Sequence, residues 1–189
     1  MKMHTLFAIA ALAFVGCGDN VNSPEDARRA YLGLDASIDK AITLGFAGFN
    51  SASSANISPQ TTTGTATGKL TVTGQVDQGS SSNKGMRLYT DYQLYSDDMM
   101  VTYQANSASL PMLDMQLKMI PNGTLTGTLN GSLAMTGQLK GTVTLALAFS
   151  GTLQPDPNDM TKVIRKPGAT HITGTATSPA GTYNVDVTK

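Results

Sequence analysis

Apolar and polar residues alternate with a period of two along most of this chain, and with a period of three to four along one stretch near its start. That stretch holds Ala27, Ala30, Tyr31, Leu34, Ile38, Ala41 and Ile42, whose three- and four-residue steps share one helix face. Ser23-Pro24-Glu25-Asp26 opens it: a hydroxyl that can accept a backbone N–H, a proline suited to the first helical position, and an acid at capping-box spacing. Gly45 is a natural stop. The pattern predicts one amphipathic helix over about 24–44. Residues 50–63 are rich in Ser, Ala, Asn and Thr around Pro59 and read as a linker.

From Gly64 onward the period is two. Ala66, Leu70, Val72 and Val76 oppose Thr65, Thr67, Lys69, Thr71, Thr73 and Gln75, the mark of a half-buried strand. After a loop from Gln78 to Gly85, the inward sets are Met86, Leu88, Tyr92 and Leu94, then Met99, Val101, Tyr103 and Ala105. The change from even to odd numbers calls for a two-residue turn at Ser96-Asp97, pairing Leu94 with Met99 and Tyr92 with Val101. Leu113, Met115, Leu117 and Met119 follow. A three-residue turn at Pro121-Asn122-Gly123, with Gly123 left-handed, carries the odd parity to Leu125. Odd parity then persists to Leu153, about 30 residues, which is too long for one strand at about 3.3 Å per residue. Another odd-length turn lies at Leu129-Asn130-Gly131 or at Leu139-Lys140-Gly141. Residues 154–168 read as a loop. The chain closes in a hairpin that pairs Ile172, Gly174 and Ala176 with Val187, Val185 and Tyr183 across Pro179-Ala180.

The expected class is mainly β (α+β): one N-terminal amphipathic helix on an antiparallel sheet of seven to eight strands in hairpin order, within a single domain over 23–189 whose strands occupy 64–188. Eight strands spaced about 4.8 Å apart span about 40 Å, whereas one helix is only about 10 Å across. A flat sheet would leave its apolar face wet, so the sheet must curl around the helix or close into a partial barrel. Composition agrees: threonine is abundant, Glu25 is the only glutamate and tryptophan is absent, a palette poor for helices and good for strands.

One segment lies outside both patterns. Lys2 precedes an apolar run over 6–15, and Cys17, the only cysteine, follows directly. A charged start, about 7–15 apolar residues and a small residue before the cut describe an export signal, and the run is too short to span a bilayer, which takes roughly 20 residues. Phe14-Val15-Gly16-Cys17 resembles the lipobox of bacterial lipoproteins, with Phe14 standing where the family usually has leucine or another aliphatic residue. The resemblance implies a signal peptide over 1–16, cleavage before Cys17, acylation of that cysteine and a lipidated tether over 17–22. It also implies a bilayer partner reached through Cys17. Gly18 stands where some lipoproteins carry an inner-membrane retention aspartate, so the resemblance favours the outer membrane of a bacterial envelope.

The mature chain would keep 189 − 16 = 173 residues, with 13 − 1 = 12 basic and 13 acidic side chains. A balance near zero argues against nucleic acid as a partner. Catalytic chemistry has little to draw on. His171 would be the only histidine and faces outward, there is no Gly-x-Ser-x-Gly elbow, and no cofactor is implied. Asp156-Pro157-Asn158-Asp159 does not fit an EF-hand and reads as turn chemistry, so no metal is expected. The protein is not expected to be an enzyme.

What remains is binding. Leu34 and Ile38 on the helical stripe, with Met86, Met99, Met115, Met119, Met135 and Leu145 inward by strand parity, form a candidate lining for an apolar cavity, since flexible thioethers suit varied apolar ligands. A curled sheet with a helix on its concave side is similar in architecture to periplasmic lipid-carrying lipoproteins. Arg87, Tyr89 and Tyr95 point outward and form a candidate recognition surface. Two functions follow: non-catalytic binding of a lipid or other apolar ligand between helix and sheet, or a structural or protein/glycan-interaction role with a fully packed core.

Overall fold

The structure is a computed structural model that describes residues 19–77 and 80–189. The segment expected to be a signal peptide with a lipobox, Cys17 included, lies outside the described residues.

The helical segment forms where expected but as two helices, α1 (Pro24–Leu32) and α2 (Asp35–Ser51). Ser23 caps α1: its hydroxyl accepts from the Asp26 amide at 3.1 Å and donates to the Asp26 carboxylate at 2.8 Å. The break at Gly33 has a tertiary cause. The Leu34 amide turns to the Tyr31 carbonyl, three residues back. The Ala30 carbonyl thereby released accepts the Tyr103 hydroxyl at 2.8 Å. A Cβ at position 33 would lie 2.4 Å from that hydroxyl, so only glycine leaves room for it. Gly45 does not stop the helix. It lies inside α2, where a Cβ would come within 3.2 Å of Leu88 and Met86, and its lack of a side chain lets the helix settle against the sheet.

Nine antiparallel strands follow: β1 (Asn56–Thr63), β2 (Thr67–Val76), β3 (Lys84–Ser96), β4 (Val101–Ala105), β5 (Met112–Lys118), β6 (Thr124–Gly137), β7 (Gly141–Asp156), β8 (Asp159–Ser178) and β9 (Gly181–Thr188). β4 and β5 are collinear. Both run antiparallel between β3 and β6, interrupted only by the excursion at 106–111. The sheet is thus an eight-position meander in hairpin order. The closing hairpin has the expected register, Ile172–Val187, Gly174–Val185 and Ala176–Tyr183. The turn between β6 and β7 uses the Leu139-Lys140-Gly141 candidate.

Three expectations need correction. Most of the 50–63 linker is structured: α2 runs to Ser51 and β1 begins at Asn56. β1 buries only Ile57, and Pro59 falls in a register shift of an edge strand, where a missing N–H is tolerated. The 154–168 loop is an arm made by the end of β7 and the start of β8. The turn after β5 spans five residues, 119–123, because Lys118 pairs with Thr124; the left-handed residue there is Met119 (φ 53°), not Gly123.

The sheet curls into a partial ring whose edge strands are β1 and β9. α2 packs along β1 and α1 along β9, so the helices fill the seam. One core results: Leu34, Ile38, Ala41 and Ile42 from the helices join Leu70, Val72, Met86, Leu88, Leu113, Met115 and Leu145 from the sheet. The strand ends are grouped. The turns at 64–66, 97–100, 138–140 and 179–180 share one end, and the end of β2, the start of β3 and the turns at 119–123 and 157–158 share the other.

Candidate functional site

Six of the eight candidate cavity residues are in the core. Leu34, Ile38, Met86 and Met115 are 0% exposed, Leu145 1% and Met135 2%. At 0% exposure no water-sized space abuts Leu34, Ile38, Met86 or Met115, so helix and sheet meet there in direct contact. The polar atoms among them are paired. Ser37 Oγ donates to the Leu34 carbonyl and lies 2.8 Å from the Tyr92 hydroxyl. Burial pushes the Tyr92 phenol up to about 12, against the hydrogen bonds with Ser37 and Thr90.

Met99 and Met119 are corrections: both are exposed. Leu94, expected inward as the partner of Met99, is exposed too. Met99 and Met119 lie in left-handed turns outside β4 and β5; for Leu94 the cause is a β-bulge. Thr67 to Lys69 on β2 is faced by Gln93 to Ser96 on β3, one residue more, and Leu94 takes a left-handed φ of 49°. One extra residue inverts the parity beyond it. Leu94 turns out and Tyr95 turns in, pairing with Tyr103.

Tyr95, a candidate for surface recognition, is therefore buried. Its ring packs edge-on to Tyr92 at 5.3 Å, and its hydroxyl donates to Asp97 at 2.6 Å. Burial, reinforced by the neighbouring carboxylate, pushes its phenol up. Asp97 also accepts from Lys40 Nζ at 2.6 Å and from the Thr65 amide at 2.7 Å. Burial opposes its charge, but the hydrogen bonds from Lys40, Thr65 and Tyr95 hold the carboxyl below its usual range. Arg87 and Tyr89 do lie outward on β3, and Arg87 donates to Gln75 Oε1 at 2.7 Å.

The cluster that sequence reasoning missed is centred on Arg165, in the β7–β8 arm. The side chain is 5% exposed. Its Nη1 donates to Asp35 Oδ1 at 2.9 Å, and Nη2 to the Asp35 carbonyl and to Asp39 Oδ2, both at 2.8 Å. Nε donates to Asp39 Oδ1 at 3.0 Å, and the Arg165 amide reaches the same oxygen at 3.0 Å. Burial works against the guanidinium charge, but Asp39 and Asp35 outweigh it and raise its pKa. The cluster ties the arm to α2. Its donors are consumed by the two carboxylates, the Asp35 carbonyl and the Tyr31 hydroxyl, so the neighbouring cleft of about 440 Å³ between α2 and the 164–168 segment offers no spare guanidinium to an anion. The only trace in the sequence is an Asp35/Asp39 pair at i,i+4, and nothing links it to an arginine 126 positions on.

A second cleft, of about 430 Å³, opens where α2 parts from the arm at the end bearing the 119–123 turn. It is lined by Phe46, Phe49, Ile120 and Val163 among others. Lys84 Nζ lies 4.4 Å from the Phe49 ring centroid. Asp156 and Asp159 behave as turn formers. Asp156 accepts the Asn158 amide, and Asp159 accepts from Thr161 and pairs with Lys162; the Thr161 hydrogen bond first, then Lys162, hold its carboxyl down at about 2. His171 lies on the outer face, 2.8 Å from the Asp186 carboxylate.

No family model matches the chain, and neither a curated protein nor a solved structure does.

Proposed function

We infer that this protein is a lipid-anchored envelope lipoprotein with a structural or interaction role, non-catalytic, acting through its outer face and its turns. The observation that carries this reading is the closed interior. Leu34, Ile38, Met86 and Met115 touch neither solvent nor an internal void, so a ligand between helix and sheet would have to displace core side chains. Arg87 and Tyr89 on β3 supply an outward polar and aromatic pair for a protein or glycan partner. The Lys40–Asp97 and Arg165–Asp35–Asp39 bridges tie α2 to the turn after β3 and to β8, which suits a rigid scaffold. Attachment to the bilayer comes through acylated Cys17, as the lipobox resemblance implies.

Met115→Trp and Leu145→Trp test the reading. In a packed core each overpacks and destabilises by about 1–3 kcal/mol in urea unfolding, and the parent protein takes up no apolar dye. If both variants keep the parent stability while abolishing dye uptake, the interior is a binding cavity and the reading is wrong.

The second cleft favours one other reading, the apolar ligand moved from the interior to the mouth lined by Phe46, Phe49, Ile120 and Val163. Phe46→Asp separates the two. Under the scaffold reading it leaves dye fluorescence at the blank level it already had. Under the ligand reading it removes an uptake that the parent shows.

A further inference from the structure

We propose that the end of the curled sheet carrying the 97–100 and 138–140 turns is seated on the bilayer, with Leu94, Met99 and Met100 entering the interfacial layer. The proposal deepens the lipoprotein reading and rests on acylation of Cys17.

The first argument is the length of the tether. A tether over 17–22 would let the domain stand away from the membrane, yet the fold already holds residue 19. The Asp19 amide donates to the Gln138 carbonyl at 3.3 Å, and the Lys140 amide donates to the Asp19 carbonyl at 3.0 Å, a bridge onto the β6–β7 turn. Val21 is buried, and its carbonyl accepts the Ser178 hydroxyl at 2.5 Å. Two peptide units separate Cys17 from Asp19, and they reach at most about 7.6 Å between α-carbons. An acylated cysteine sits at the leaflet surface. The 138–140 turn is therefore within one side-chain length of the headgroups, and so is its neighbour, because the Gln138 amide donates to the Met100 carbonyl at 2.8 Å.

The second argument is what that end presents. Among the described residues six large apolar side chains are exposed, and Leu94, Met99 and Met100 are three of them. They are held outward. Leu94 and Met99 have left-handed φ values of 49° and 63°, a conformation unfavourable for residues with a Cβ. Ser96 Oγ accepts the Met99 amide at 3.1 Å, and Asp98 accepts the Met100 amide at 2.8 Å. Apolar side chains fixed in water by a strained turn gain nothing within this fold. They gain burial if the turn meets lipid. Lys140, exposed in the adjacent turn, adds a cation at headgroup level.

The third is an internal control. Met119 and Met160 are as exposed as Met99, at 66% and 71% against 75%, but occupy the opposite end. The 14 residues of β6 separate the two ends by roughly 40 Å at about 3.3 Å per residue.

The experiment uses the full chain, purified from membranes and reconstituted in phosphatidylcholine/phosphatidylglycerol vesicles with nitroxide-labelled phosphatidylcholine. Met99→Cys, Met100→Cys and Met160→Cys each carry a polarity-sensitive fluorophore. An acylated Cys17 has no free thiol, so the introduced cysteine alone is labelled. The labels at positions 99 and 100 are expected to shift to the blue and lose most of their emission to the nitroxide lipid, while the label at 160 does neither. Equal, water-like emission at 99 and 160 on vesicle-bound protein overturns the seat and leaves acylation standing. A blue shift at 99 without nitroxide quenching overturns it in favour of a second copy or another protein covering that end. Labelling of the unsubstituted chain at Cys17 overturns acylation, and the proposal with it.

Discussion

Arg165 concentrates more polar bonds than any other side chain described here, and they connect parts of the chain far apart in sequence. Its guanidinium and amide together engage Asp35, Asp39 and the Tyr31 hydroxyl, and the Tyr31 hydroxyl itself donates to Asp35. Removing one member of such a cluster strands the others. Arg165→Met should cost about 3 kcal/mol in urea unfolding, the lower end of the range for a broken buried pair, because Asp39 keeps 30% exposure and can recover water. Arg165→Lys should recover only part of this loss, since an ammonium cannot reproduce the two-carboxylate fork. Asp97 gives the complementary pH signature. Its carboxyl is held below the ordinary 3.8 in the folded state. Its contribution is therefore complete above about pH 4 and is lost as pH falls through the lowered folded value. Asp97→Asn should be less stable than the parent at pH 7 and should lose less further stability on going to pH 3, as urea midpoints at the two pH values would record. Neither cluster was legible in the sequence. Both join a helix to a remote strand or turn, and a periodic pattern carries no information about which charges will meet.

At the scale of elements, the helix break is a joint property of Gly33 and Tyr103, 73 positions from the carbonyl it meets. Gly33→Ala should drive the Tyr103 hydroxyl off the Ala30 carbonyl. Tyr103→Phe should leave that carbonyl unpaired, at about 1–3 kcal/mol. The double variant should be less destabilised than the sum of the two, because removing the hydroxyl clears the space the new methyl needs. Full additivity in urea unfolding would mean that the two residues do not share one cause. The elements that were legible are those whose one face is buried: the helical stripe, the β2–β3 alternation and the β8–β9 register. Those that were not each break the periodicity for a local reason. β1 buries one apolar side chain and reads as linker. The bulge at Leu94 inserts one residue and inverts the faces of Leu94 and Tyr95, and no residue type marks it, while Met99 falls in the left-handed 97–100 turn, outside the alternation of β4. Met119 ends its strand in a left-handed turn, so alternation run one step too far placed it inside.

At the scale of the molecule, a meander of eight strand positions curls until two helices fill the seam between its edges, and side chains from both join one buried core. Alternation along the strands carries the hairpin order and the need for curling, because burying one face of a wide sheet leaves few alternatives. It does not carry how tightly the interior packs, since inward methionines serve a cavity and a core equally well. The polar outer face, the docked residues 19–21 and the exposed methionines at the same end then describe a body with a membrane-proximal and a membrane-distal pole, provided that Cys17 is acylated. That condition is the centre of the account. The most direct measurement is the intact mass of the protein extracted from membranes, set beside that of Cys17→Ser from the same cells. The account predicts a mature chain that starts at Cys17, lacks residues 1–16 and carries the added mass of its acyl chains, with the serine variant unacylated and either uncleaved or soluble. A parent chain with an unmodified thiol, or a serine variant processed and membrane-bound like the parent, would contradict it.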